Sequence, residues 1–420
     1  MKAAAETGGM EERIRQLERQ LEEWKTAVLN VAVIGNSGVG KLSFINAIRG
    51  LTTDDEGAAV VDAVQTSVEI RDHPHPNNSK LVFWDLPGVG TDRYPRSTYL
   101  DEIDVDRYDF FLLMTADRFT ENDTWLSKEI RKRNKKYFFV RTKIGVDISN
   151  SKKTHNEETV IETIRQDITH NLRKNGCDAV PVFLIDNYEL NKFEFEKLKQ
   201  QIIQDYPEQK RSALIFSLEA SSEEMIRLKV AELRSRIWKS AALSAAGATV
   251  PIPGVSTVMD LGLVTHEALS YYRQLGLDSK SLQRNAKLHS ADPDRMQSII
   301  SNALGVRAEG AVTVDGMRSI VTTIVTRSPT LLAATVVEEG VKVLPLIGSL
   351  VAPPISFAGT RSALNLILDK FEETALKVVK FVTDSAAGLD KIQDTVEVTT
   401  DSQEDAQRTG EVEEHASQEN

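Results

Sequence analysis

Cysteine is nearly absent: Cys177 stands alone in 420 residues. A lone thiol excludes an intrachain disulfide framework and suits a reducing cytosol. No Cys or His partner sits at ligand spacing from it, so neither a metal site nor a nucleophile is implied. Positive charge is also in deficit. Lys and Arg number 51 against 62 Asp and Glu, a formal net charge of −11 that argues against nucleic acid as the main partner. The one basic cluster, RKRNKK at 131–136, comes after the helical ENDTWLSKEI and is expected to cap that helix's negative end rather than serve as a nuclear signal. The opening MKAAAETGGMEERIRQ lacks the apolar core of a secretory leader. Lys2 stands where N-myristoylation needs Gly, and no C-terminal prenylation box is present, so membrane contact is expected to come from within the folded chain. Long apolar runs are few. The uncharged stretches 240–259 and 343–360 approach spanning length, but both contain proline and are rich in Ala, Ser, Gly and Thr. Buried helix–turn–helix segments are therefore expected there, with interfacial insertion of a partly exposed hairpin as the alternative.

What is present reads as a soluble globular chain of two or three domains, with 41% hydrophobic and 27% charged residues. Residues 1–29 end in an amphipathic helix, with Ile14, Leu17, Leu21, Trp24 and Val28 at helical spacing over 11–29, expected to pack on the rest of the chain. Over 30–205, short apolar runs (NVAVIG, KLVFWDL, DFFLLMT, KYFFVRT, VPVFLID) alternate with helical stretches at 41–49, 97–105, 121–133, 154–174 and 193–204. That alternation predicts a mainly parallel sheet with helices on both faces. Continuous apolar strands suit a sheet buried on both sides. Residues 206–385 read as helices broken at PIPG (251–254), ADPD (291–294) and APP (352–354). The acidic, polar tail 386–420 is expected to be disordered.

Three motifs carry chemistry. GNSGVGKLSF, residues 35–44, holds the Gly-x4-Gly-Lys frame of a phosphate-binding loop between a strand and a helix. Backbone N–H groups of Gly35, Asn36, Ser37, Gly38, Val39, Gly40, Lys41, Leu42 and Ser43 are placed to wrap a phosphate chain, and Lys41 to reach its outer phosphates. The next position should be Ser or Thr, whose hydroxyl binds magnesium; here it is Leu42, and Ser43 lies about 100° further round the helix. A second strand ends in Asp85-Leu86-Pro87-Gly88, the Asp-x-x-Gly of GTPases, in which the Asp orients magnesium through water and the Gly N–H senses the terminal phosphate. The third motif, VRTKIGVD, supplies Thr142 and Lys143 of the guanine-reading Asn/Thr-Lys-x-Asp. That motif's Asp carboxylate accepts from the guanine ring N–H and exocyclic amine. Its position is Gly145, with Asp147 two residues on, needing a shifted loop to reach the base.

With these motifs, LVFWDLPGVG (81–90), YDFFLLMTADRF (108–119), IWKSAALSAAGATVPIPGVSTVMDLGLV (237–264) and LGLDSKSL (275–282), the chain resembles the immunity-related (interferon-inducible) GTPases of the dynamin-like class over about 12–384. The resemblance implies an α/β Ras-like P-loop G domain plus an all-α helical domain. It further implies GTP/GDP as ligand, assembly with itself or other immunity-related GTPases through the G domain, and peripheral attachment to intracellular membranes from the cytoplasm. Lys41, Asp85 and Gly88 match its catalytic positions, Asp85 being an outer partner of the metal. This chain departs from the pattern at Leu42, where the family has Ser, and at Gly145. In the first switch, 61–67, the family's Thr and Glu are lost and Ser67 keeps only a hydroxyl, and the family's Ser-Asn after the last core strand is Asp186-Asn187. Asn187 and Ser67 thus remain candidates for nucleotide contact. Expected is weak, magnesium-poor guanine-nucleotide binding with impaired hydrolysis; the alternative is a working GTPase, activated on dimerisation, in which Asp147 and a water substitute.

Overall fold

The computed structural model describes residues 12, 15–61, 69–151, 155–177, 180–247, 255–305, 313–327 and 357–385. Helix α1 (15–22) and a 3-10 turn, Glu23–Lys25, precede β1 (Leu29–Gly35) and α2 (Lys41–Ile48). Then come β2 (Arg71–His75), β3 (Asn78–Leu86), α3 (Tyr99–Glu102), β4 (Phe110–Thr115), α4 (Glu121–Lys132) and β5 (Lys136–Arg141). Helices α5 (Ile144–Ser151) and α6 (Glu157–Lys174), strand β6 (Val182–Leu184) and α7 (Phe195–Asp205) complete this part of the chain. Among the described residues the six strands form one sheet in the order β2-β3-β1-β4-β5-β6. Only the β2–β3 pair is antiparallel. This is the mainly parallel, helix-flanked sheet that the alternation of runs predicts.

Strand β4 shows why the central strands read as unbroken apolar runs. Phe110, Leu112 and Met114 enter the core on one face, Phe111 and Leu113 the core on the other. Both faces are covered, so the period-two pattern has no polar half. Strand β2, RDHPH, escapes that logic. It pairs with β3 alone, as an edge strand, and the register shifts at Pro74/His75. An edge tolerates a proline and polar residues that a central strand would not, so the hydrophobic pattern carries no sign of it.

Local signals act where expected. Thr120 and Asp123 form a reciprocal capping box at the start of α4. At its other end Arg131 and Lys132 occupy the last turn. Lys135 Nζ then donates to the carbonyls of Asp106 and Tyr108 at 3.1 and 3.0 Å. The basic cluster thus serves the helix terminus and its neighbours. Cys177 is buried, in the core on one side of the sheet.

After α7 the described chain is helical: α8 (Glu208–Ser217), α9 (Glu223–Gly247), α10 (Val255–Gln274), α11 (Ser279–His289), α12 (Pro293–Leu304), α13 (Val314–Thr326) and α14 (357–385). Asp292, in the ADPD break, caps α12 by accepting from the N–H groups of Asp294 and Arg295. One apolar cluster runs without interruption from Phe110 and Phe138 of the sheet through Phe216 of α8 to Tyr272 and Phe371. Trp24 packs on Phe216 at 5.0 Å between ring centroids, which docks the N-terminal segment onto α8. An aromatic contact of this kind is worth about 0.5–1.5 kcal/mol beyond area burial. Among the described residues no helix is long and apolar enough to cross a membrane. Of the stretch 240–259, residues 240–247 end α9 and 255–259 begin α10, while 248–254 with the PIPG break lie outside the described residues, as do most of 343–360, the APP break and the tail 386–420.

Candidate functional site

Parallel pairing brings five strand ends to one edge. Gly35 of β1 lies beside Met114 of β4, and Ile34 beside Leu86 of β3; Thr115 pairs with Arg141 of β5, which pairs with Leu184 of β6. The chain leaves β1 toward β3 on one side and returns to β4 on the other, a switch point at which open α/β sheets bind ligands. All three motifs emerge there.

The phosphate loop is tightly constrained. A Cβ on Gly35 would stand 2.4 Å from the Met114 carbonyl oxygen, so only glycine permits this approach of β1 to β4. Gly40, the residue before α2, has φ +86°, the left-handed region in which a side chain is strained. Lys41 opens the helix and is buried; its Nζ donates to the carbonyls of Gly35 and Asn36 at 3.0 and 3.3 Å. Asp85 Oδ1 lies 3.9 Å from that ammonium. Burial lowers the Lys41 pKa from the ordinary lysine value, and Asp85 opposes the fall. Gly88 lies against the loop: a Cβ there would be 3.4 Å from the Gly35 oxygen and from the Asn36 Cα.

The base-side motifs are stitched to this loop. Thr142, fully buried, donates through Oγ1 to the Val39 carbonyl at 2.7 Å, and Asn187 Nδ2 donates to the Gly40 carbonyl at 3.0 Å. Asn187 Oδ1 is buried with no hydrogen-bond partner among the described residues. Lys143 takes φ +59° and is exposed at the turn into α5. That turn is tighter than the sequence suggests, since α5 begins at Ile144 and carries both Gly145 and Asp147. Asp147 is engaged by a strand residue next to Thr142. Its Oδ2 receives Arg141 Nη2 at 2.6 Å, and the same guanidinium donates to the Thr142 carbonyl. Burial raises the Asp147 pKa above the usual carboxylate value, with Arg141 pulling the other way. The strand residue Arg141 carries no signal in the motif, so this pairing is visible only in three dimensions. Ser67 lies outside the described residues.

Comparison with known proteins agrees with the motifs. The family model described as "Interferon-inducible GTPase (IIGP)" matches residues 1–326. The chain belongs to the interferon-inducible GTPase family. It is 36% identical over 288 residues to interferon-inducible GTPase 1 of Mus musculus, covering 67% of this chain and 69% of that protein. Identity to interferon-inducible GTPase 5 of Rattus norvegicus is 31% over 384 residues, 90% of this chain and 81% of the relative. Among solved structures, an Era variant of Aquifex aeolicus bound to GDP.AlF4- superposes with a TM-score of 0.31 at 18% identity, over 52% of this chain and 67% of that one.

A GTPase family implies magnesium beside the nucleotide. The residues described do not fit the ion. Asp85 offers one carboxylate, but the α2 position that should add a hydroxyl is the hydrocarbon of Leu42. The neighbouring Ser43 Oγ lies 3.4 Å from Tyr188 OH, in the loop after β6.

Proposed function

We propose that this interferon-inducible GTPase relative binds guanine nucleotide in the loop between β1 and α2, weakly and with little help from magnesium, and hydrolyses GTP poorly. It acts as a binding or regulatory partner for copies of itself or other immunity-related GTPases through the G-domain face. It works peripherally on intracellular membranes in cell-autonomous defence. One observation carries the reading: an intact phosphate cradle, with Lys41 held at its mouth, sits directly beside the oxygen-free side chain of Leu42. The cradle supports binding by backbone N–H groups and one ammonium. Without a metal-binding hydroxyl, charge on the outer phosphates is poorly neutralised, and phosphoryl transfer depends on that neutralisation.

A second reading, an active GTPase switched on by G-domain dimerisation, is favoured by Asp85 and Gly88 keeping their places against the loop. Titration with a fluorescent GTP analogue, with magnesium or with chelator, separates the two. The proposal expects similar, weak affinity in both conditions and turnover that stays flat as protein concentration rises. Tight magnesium-dependent binding with turnover climbing with concentration establishes the second reading instead.

A further inference from the structure

The base side of the pocket departs from the family pattern at two residues, and those two residues touch. A Cβ on Gly145 would stand 3.0 Å from Asp186 Oδ2 and 3.7 Å from Asp186 Cγ. The Asp186 carboxylate therefore fills the space where a side chain at 145 would begin. It is held there by two backbone donors: Gly145 N–H to Oδ2 at 3.2 Å and Tyr188 N–H to Oδ1 at 3.0 Å. An ionised carboxylate has about four acceptor sites, so each oxygen retains capacity for a further donor.

Three carboxylates lie near this end, and their surroundings differ. Glu189 Oε2 would stand 3.7 Å from the same Cβ, and it pairs with Lys192 at 3.5 Å. Asp147 is engaged by the Arg141 guanidinium at 2.6 Å. No ion pair among the described residues includes Asp186, although it is only 7% exposed. A buried carboxylate held by neutral donors alone is suited to strong further hydrogen bonds. Its position is fixed relative to the phosphate loop. The next residue, Asn187, is bonded to Gly40 of the phosphate loop, and Thr142 across the gap is bonded to Val39.

We infer that Asp186 is the guanine-reading carboxylate of this chain. It is presented from the loop after β6 through the space that Gly145 leaves open, and it accepts from the ring N1–H and the exocyclic 2-amine. The inference rests on the proposed guanine-nucleotide binding and assigns the base specificity of that same site. A side chain at 145 would press on the reader, whose carboxylate would have to give by a few tenths of an ångström, so glycine suits the arrangement.

The test is competition of unlabelled GDP, IDP, XDP and ADP against a fluorescent GDP analogue on the full chain. Wild type is expected to prefer GDP over IDP and ADP by about tenfold or more, since IDP lacks the amine and ADP presents no ring N–H there. Asp186→Asn keeps an oxygen for the Tyr188 N–H but exchanges an acceptor for a donor. It should lose GDP about tenfold and gain XDP, whose 2-oxo group accepts, so the GDP:XDP preference inverts. A side chain that merely shapes the loop would shift all four nucleotides together. The swap Gly145→Asp/Asp186→Ser moves the carboxylate onto α5 and should retain the GDP preference; it also serves where the single variant does not fold. Equal wild-type affinity for GDP and ADP, or an unchanged GDP:XDP ratio in Asp186→Asn, overturns the inference while leaving nucleotide binding standing. Wild type that binds none of the four overturns the proposed function and the inference together.

Discussion

The two ends of one pocket differ from the family pattern in different ways. At the phosphate end, Leu42 replaces an oxygen ligand, and the adjacent hydroxyl of Ser43 is directed to Tyr188 instead. At the base end, Gly145 replaces a carboxylate, and another carboxylate, Asp186, stands 3.0 Å from where its side chain would begin. The first change removes an oxygen with no replacement among the described contacts of Leu42 or Ser43; the second is matched by a change in a contacting residue. A departure from a motif therefore says little until the surrounding side chains are known. Binding and turnover can part company when only one end is left short. The backbone cradle asks for no particular side chain except Lys41, whereas metal neutralisation of charge depends on one hydroxyl.

The largest effect expected is at Lys41. Lys41→Ala removes the side-chain cation proposed to meet the phosphates, together with its bonds to the Gly35 and Asn36 carbonyls. Two charge-assisted hydrogen bonds correspond to about a hundredfold loss of nucleotide affinity. Fluorescence titration measures it, with circular dichroism checking that the fold is kept. Affinity within a few-fold of wild type would mean that the loop is not where phosphates bind, and the contrast between the two ends would have no basis.

Next in size is Leu42→Ser. Leu42 is half-buried in the first turn of α2, so a serine fits there with little disturbance. If the phosphate end is short of one oxygen and nothing else, the variant should gain about tenfold in GTP affinity on adding magnesium, and wild type very little. Isothermal titration with and without chelator reads the difference. Equal magnesium dependence in the two proteins would show that another group already supplies the ligand.

Much of this was legible in the chain. Alternating apolar runs predict a mainly parallel sheet with helices on both faces, and the three motifs mark the strand ends that carry Gly35, Asp85, Gly88 and Thr142; the strand order is seen only in the fold. What was not legible depends on contacts between distant segments. Edge strand β2 hides behind Pro74 and polar residues, since only one of its sides is hydrogen-bonded. Asp147, two residues from the motif position, invites use as a substitute; but α5 starts at Ile144, and Arg141, six residues earlier, takes its carboxylate. Asp186 and Gly145 are 41 residues apart and share no motif, so only the fold shows that one occupies the space left by the other.

The smallest effect tests whether the two ends act independently. Thr142 lies at the base end, yet its hydroxyl donates to Val39 of the phosphate loop, with Thr115 O as a second acceptor at 3.2 Å. Thr142→Val keeps the shape and removes the donor, leaving buried carbonyls without that bond. Net loss of such a hydrogen bond amounts to about threefold in affinity, together with roughly 1 kcal/mol of stability seen as a lower denaturation midpoint at unchanged slope. Thr142→Ser retains the donor and should stay near wild type. Weakened binding of free pyrophosphate by the valine variant identifies a coupling, because pyrophosphate has no base to touch residue 142. If pyrophosphate binding is unaffected while GDP binding falls, Thr142 acts on the base alone, and the two ends are separate sites that happen to share a ligand.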